Sequence, residues 1–288
     1  EESIEESNNA PDDLGTDVRL AFFDCEVYPN LFLIRYKFEG DSPLVTMLNP
    51  EAKAVENLFK LKLAGYNCRK YDNHILYAAS LGYSNKALYE LSQRLISNAP
   101  NATFVVAYNL SYVDVYDYMS ADGKMTLKKW QIKLGIHHQE MDIPWDQPVP
   151  PERVDDVIEY CGNDVISLEK VHEHRKGDYT ARLILAELSG LTPNHTTNAH
   201  SAAIIFGQNK RPQPAFKYTK LAERFPGYTY DMGKSYYRDE LVGEGGYVYA
   251  EPGISAYVVL LAVASMPPTS IQALNLFRDE SPAKLPEM

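Results

Sequence analysis

An α/β fold is what this chain predicts over residues 17–188. Short apolar runs there, each bounded by turn residues, alternate with stretches of helical periodicity. The chain also has the apolar mass for a sizeable core, with 45% hydrophobic and 11% aromatic residues in 288. The longest apolar run, residues 257–266, is too short to cross a bilayer and reads as a buried strand, so no membrane partner is expected.

Residues 1–16 are acidic and poor in apolar side chains, and a disordered lead-in is expected. Residues 20–23 are an apolar run ending in acid. Residues 31–38 alternate apolar and polar as a paired strand does, behind a Tyr28-Pro29-Asn30 turn, and residues 44–48 suit a third strand. Pro50-Glu51 opens a helix expected to reach about Lys62, with a short strand over 63–67. Residues 73–81 and 84–96 read as helices broken by Gly82, and 104–107 as a strand. An amphipathic helix follows over 126–134, stopped at Gly135. Residues 144–151 are proline-rich and extended, and the pattern from 152 to about 188 is helical with a break near Gly177. Pro193, Pro212, Pro214 and Pro226 make residues 189–230 irregular, so 189–242 is taken as a connecting segment. Strand character returns within 243–277, part of a last region, 243–288.

The formal net charge of −11 argues against holding duplex DNA on a broad basic face, though not against gripping a few nucleotides through metal ions. Basic residues do gather locally, at Lys124, Lys128, Lys129 and Lys133 and again at Lys210, Arg211, Lys217, Lys220 and Arg224; solvated faces explain them. Twenty-one tyrosines against two tryptophans fit half-buried strand surface, with base stacking as the alternative use. Cys25, Cys68 and Cys161 have neither disulfide nor zinc spacing, and a reducing, cytoplasmic setting is expected. His137-His138 precede an extended segment, one of them within approach of nucleic acid; His172 and His174 face different ways on a helix, and surface or capping roles are expected.

Three acidic segments carry chemistry. In Phe23-Asp24-Cys25-Glu26 the strand period of two puts both carboxylates on one face, a costly pairing unless a cation neutralises it; hard oxygen ligands favour Mg²⁺ or Mn²⁺. Asn67-Cys68-Arg69-Lys70-Tyr71-Asp72 leaves a strand and enters a helix. Tyr160-Cys161-Gly162-Asn163-Asp164 projects a phenol and a carboxylate from one helix face.

In this order and on these elements, Phe-Asp-x-Glu at 23–26, Asn-x-x-x-Tyr-Asp at 67–72 and Tyr-x-x-x-Asp at 160–164 resemble the three motifs of the DnaQ-like (DEDD) 3′→5′ exonucleases, in their tyrosine-bearing subclass. Thr126-Leu127-Lys128-Lys129-Trp130 is similar to the Ser/Thr-Leu element with which bacteriophage family B DNA polymerases contact single-stranded DNA. Glu244-Gly245-Gly246-Tyr247 resembles their Tyr-x-Gly-Gly connector, and residues 262–271 resemble a palm motif. The resemblance implies an RNase H-like mixed sheet flanked by helices, followed by a partial palm-like α+β segment. It implies two Mg²⁺ or Mn²⁺ ions on Asp24, Glu26, Asp72 and Asp164, with Tyr160 orienting the attacking water. Asn67, Tyr71, Thr126 and Leu127 would hold a single-stranded DNA 3′ end, and the remainder of a polymerase is an implied partner.

The chain departs from the pattern at Ala262, where the palm motif has its metal-binding Asp, and at Pro267, where it has an aromatic. Polymerisation by this chain alone is therefore not expected. Val27 replaces the hydroxyl residue that often follows the first-motif Glu. The catalytic acids do not separate DNA from RNA, so an RNA exonuclease is an alternative. A binding module that keeps the fold without turnover is another.

Overall fold

The computed structural model describes residues 19–207 and 221–242, with the isolated positions 253, 254, 259, 269, 270 and 273. The acidic lead-in, the Gly245-Gly246 connector and most of both the palm-like motif and the second basic cluster lie outside the described residues. The chain divides into two compact units, residues 1–204 and 205–288.

The first unit is a mixed α/β unit around a five-stranded sheet. Its strands are β1 (Leu20–Tyr28), β2 (Leu31–Phe38), β3 (Val45–Leu48), β4 (Lys62–Gly65) and β5 (Tyr112–Asp114), in the order β3-β2-β1-β4-β5. The pairings of β1 with β2 and of β2 with β3 are antiparallel; those of β4 with β1 and β5 are parallel. Its helices are α1 (Ala52–Leu58), α2 (Asp72–Ser80), α3 (Asn85–Ile96), α4 (Val115–Tyr118), α5 (Leu127–Leu134), α6 (Val154–His174), α7 (Lys176–Ser189) and α8 (Thr197–Phe206).

Side-chain alternation along β1 separates two cores. Ala21, Phe23 and Cys25 pack with Val55, Ile75, Leu76 and Leu88 of α1–α3, while Leu20 and Phe22 pack with Trp130 of α5 and Val165, Leu168 and Val171 of α6. A third cluster joins Tyr28, Leu31 and Leu33 to Val157 and Cys161. Asn30, in the β1–β2 turn, ties down the proline-rich segment through two bonds with the backbone of Val149, at 2.8 and 2.9 Å.

Several elements differ from expectation. The first strand does not stop at the acids but runs on to Tyr28, because its antiparallel ladder with β2 continues to the tight turn, pairing Asp24 with Arg35 and Glu26 with Leu33. The first helix ends at Leu58, since β4 claims Lys62 for pairing with Leu20. Residues 104–107 are not a strand: Val105–Asn109 is a 3₁₀ turn with Val105 and Val106 exposed, and the slot beside β4 belongs to Tyr112–Asp114. The helix break falls at Arg175, whose side chain binds Asp122 and Asp178; Gly177 lies inside α7. The stretch read as irregular contains α8, where Thr196 Oγ1 accepts the Ala199 N–H at 3.2 Å as a cap. His172 has no surface role. It is buried beside Phe22, with Nδ1 2.8 Å from the Tyr118 hydroxyl.

In the second unit the described residues form a short helix, α9 (Leu221–Arg224), and an antiparallel meander of β6 (Tyr228–Asp231), β7 (Lys234–Tyr237) and β8 (Glu240–Val242). Among the described residues no helix is long and apolar enough to cross a membrane.

Candidate active site

Asp24 and Glu26 sit on the face of β1 that meets α6, as the period of two requires. α6 is seated across β1 and β2 by the buried Lys37–Glu169 ion pair. Gly162 permits the close approach, since a Cβ there would lie 2.2 Å from Arg35 Nη1, which instead donates to the Ile158 carbonyl at 2.9 Å. One ligand atom each from Asp24, Glu26 and Cys161 fall within 4.8 Å of one another. Cys161 Sγ lies 3.6 Å from both the backbone oxygen and Oδ2 of Asp24.

Asp72 and Asp164 stand outside that tight group but within its electrostatic reach. Burial, then the charges of Glu26, Asp72 and Asp164, push the Asp24 carboxyl well above the ordinary range. Burial, then Asp164 and Asp72, lift Glu26 to about 8, against the pull of the Lys128 ammonium. Burial lifts Asp72 to about 7. Asp164 is also raised by burial, with relief from a Gln131 hydrogen bond, the Lys128 charge and the nearby Tyr160 hydroxyl. Four buried carboxyl groups, two of them raised further by the charges of the others, form the arrangement a divalent cation relieves, and their oxygens are hard donors. Burial and the neighbouring acids keep the Cys161 thiol protonated, so it donates to Asp24 and leaves ligation to oxygen.

The remaining expected site residues are more scattered. Tyr160 is half-buried one turn before Asp164, with Lys128 Nζ 5.9 Å from its ring centre. Asn67 is exposed, in a left-handed conformation (φ 58°) that its short polar side chain tolerates. Tyr71 turns inward: it packs against the α1–α3 core, and its hydroxyl lies 2.7 Å from Ser92 Oγ, so only part of its ring remains for a base. Thr126 caps α5 by accepting the Lys129 N–H at 3.3 Å, and Leu127 packs toward Trp130.

Two positioning residues, Gln131 and Asp114, are not among the residues expected from the motifs. Fully buried Gln131 donates through Nε2 to Asp164 Oδ1 (2.7 Å) and Ser167 Oγ (3.1 Å), and its Oε1 lies 2.9 Å from His138 Nδ1. The signal was present: Gln131 shares the apolar stripe of α5 with Leu127, Trp130 and Leu134, and an amide at a core position needs a partner. Asp114, at the end of β5, accepts the backbone N–H groups of Asn67 and Arg69 at 2.9 Å each and so shapes the approach to Asp72. No family model matches this chain, and no curated protein matches it.

Proposed function

We propose that this chain is a 3′→5′ exonuclease of the proofreading kind, which trims single-stranded DNA ends to nucleoside 5′-monophosphates. One observation carries the reading. Asp24 and Glu26 of β1 face Cys161 of α6 within 4.8 Å, and the charges of Asp72 and Asp164 bear on both acids. These acids belong to the three motifs whose resemblance to DnaQ-like exonucleases is read from the sequence. A sheet that is antiparallel on one side and parallel on the other, with helices on both faces, supports taking the fold as RNase H-like. Three free, buried cysteines suit a cytoplasmic setting.

Two divalent ions, Mg²⁺ or Mn²⁺, held by Asp24, Glu26, Asp72 and Asp164, would supply Lewis-acid polarisation of the scissile phosphate and a more acidic water. The chain's own residues do the rest. Tyr160, its phenol held protonated by burial and the adjacent acids, is a neutral donor that orients the attacking water. Lys128 offsets the carboxylates, and Gln131 holds Asp164 in one orientation. Asn67, Thr126, Leu127 and the free part of Tyr71 grip the frayed end. No protein nucleophile is required. Ala262 in place of the palm Asp makes polymerisation by this chain unexpected.

The test is degradation of a 5′-labelled single-stranded DNA primer with Mg²⁺ or Mn²⁺. The parent should shorten it stepwise and Asp24→Ala/Glu26→Ala should not. Equal degradation by the double variant rejects the site. A matched RNA strand run in parallel decides the sugar preference. DNA binding without Mn²⁺-dependent cleavage would leave a non-catalytic module.

A further inference from the structure

The first unit holds an open cleft of about 820 Å³ that the catalytic acids do not line. Its wall gathers Arg69, Lys70, Lys124 and Arg182 against two acids, Asp117 and Asp178, on a chain whose net charge is −11. Both acids are already engaged, Asp117 with Arg69 at 3.6 Å and Asp178 with Arg175 at 2.5 Å. That leaves Lys70, Lys124 and Arg182 without an ion pair among the described residues.

Arg182 is the telling member. It is 7% exposed, and among the described residues its guanidinium donates to neutral oxygens, the His195 carbonyl at 2.7 Å and Thr197 Oγ1 at 3.2 Å. The charges of Asp117 and Asp178 reach it only from beyond ion-pair distance and its burial outweighs them, so the cleft is where a further anion has room to compensate it. The local field agrees: burial first, then the charges of Arg182 and His195, hold His200 down at about 4. The first turn of α8, through Thr197 and Asn198, lines the same cleft and adds the positive end of a ten-residue helix. Tyr108, beneath Arg69 at 5.6 Å, offers a ring on the wall. Lys70 is two residues from Asp72, so the cleft adjoins the second acidic motif in sequence.

We propose that this cleft binds the phosphate group of a nucleotide. Choosing a nucleotide over another anion rests on the exonuclease reading; the anion site itself does not. The phosphate is either a backbone diester of the strand or the monoester of a released nucleotide.

The test measures binding without divalent metal, in EDTA, so that no cleavage intervenes. The probes are a 5′-labelled oligothymidylate followed by anisotropy, thymidine 5′-monophosphate by calorimetry, and inorganic phosphate. Lys70→Glu/Lys124→Glu alters two exposed side chains, and Arg182→Met removes the buried charge. Both variants should weaken the bound probe about tenfold or more, and charge reversal should flatten the salt dependence. Oligomer binding alone assigns the strand, and comparable binding of the monophosphate assigns a released nucleotide. Absence of binding to every probe, or unchanged affinity in Lys70→Glu/Lys124→Glu, overturns the proposal. Weakened binding in that variant, from a parent lacking nuclease activity, keeps the anion site and removes the exonuclease.

Discussion

Gln131 has a single workable orientation. Ionised, Asp164 Oδ1 can only accept, so the amide nitrogen must face it, which turns the amide oxygen toward His138 Nδ1. Replacing Gln131 with Leu keeps the volume but removes a donor from a buried carboxylate. Partners of this kind, which orient a metal-binding side chain, typically account for about 10- to 100-fold in activity or metal affinity. Gln131→Leu should therefore lower the rate of strand degradation by that order, with the circular dichroism spectrum unchanged. Because the lost hydrogen bond had held the Asp164 proton affinity down, the acid limb of the pH–rate profile should move to higher pH. An unaltered profile would show that Gln131 only fills space. At this scale the acids were legible and their supports were not. A period of two suffices to put Asp24 beside Glu26, whereas the partner of Gln131 lies 33 residues away on another helix.

The elements hold the site by docking α6 on the sheet. Lys37, on β2, and Glu169, on α6, form a pair buried at both ends, and Glu169 Oε1 also accepts the Gly40 N–H at 2.6 Å. Removing one charge from such a pair leaves the other buried and uncompensated, at a cost of about 3–5 kcal/mol, whereas replacing both with apolar groups is close to neutral. Chemical denaturation should accordingly find Lys37→Met strongly destabilised and Lys37→Met/Glu169→Met restored to within about 1 kcal/mol of the parent. Equal losses in the two variants would mean that packing, not charge compensation, dominates the contact. Long periodic elements such as α3 and α6 were legible because helix spacing and caps, such as Ser84 accepting the Ala87 N–H, are local signals. The fifth strand was not, because Phe104-Val105-Val106-Ala107 is the more apolar run and only pairing with β4 selects Tyr112–Asp114 instead.

Across the whole molecule, the burial of the site's acids, with the repulsion among them, couples its chemistry to stability. Glu26 and Asp72 bind protons more tightly folded than unfolded, with folded values of about 8 and about 7 against ordinary carboxyl values near 4. Their stabilising contribution is thus complete below about pH 4 and is lost as pH rises through the folded values, so the metal-free protein should weaken progressively toward pH 8. The buried histidines oppose this, since His172 and His200 are held below their ordinary value and favour the fold as pH rises. The difference between the parent and Glu26→Gln cancels that background. In EDTA the parent's melting temperature, relative to Glu26→Gln, should fall between about pH 5 and pH 8. Adding Mn²⁺ at pH 8 should restore it, because an ion that binds only the folded site stabilises by about 2.7 kcal/mol at a hundredfold excess over its dissociation constant. Mn²⁺ should do little at pH 5, where protons already occupy Glu26 and Asp72, and little for Asp24→Ala/Glu26→Ala at either pH. A melting temperature indifferent to Mn²⁺ at pH 8, in a parent that nonetheless shows the metal-free fall, would mean that these acids repel one another without forming a cation site.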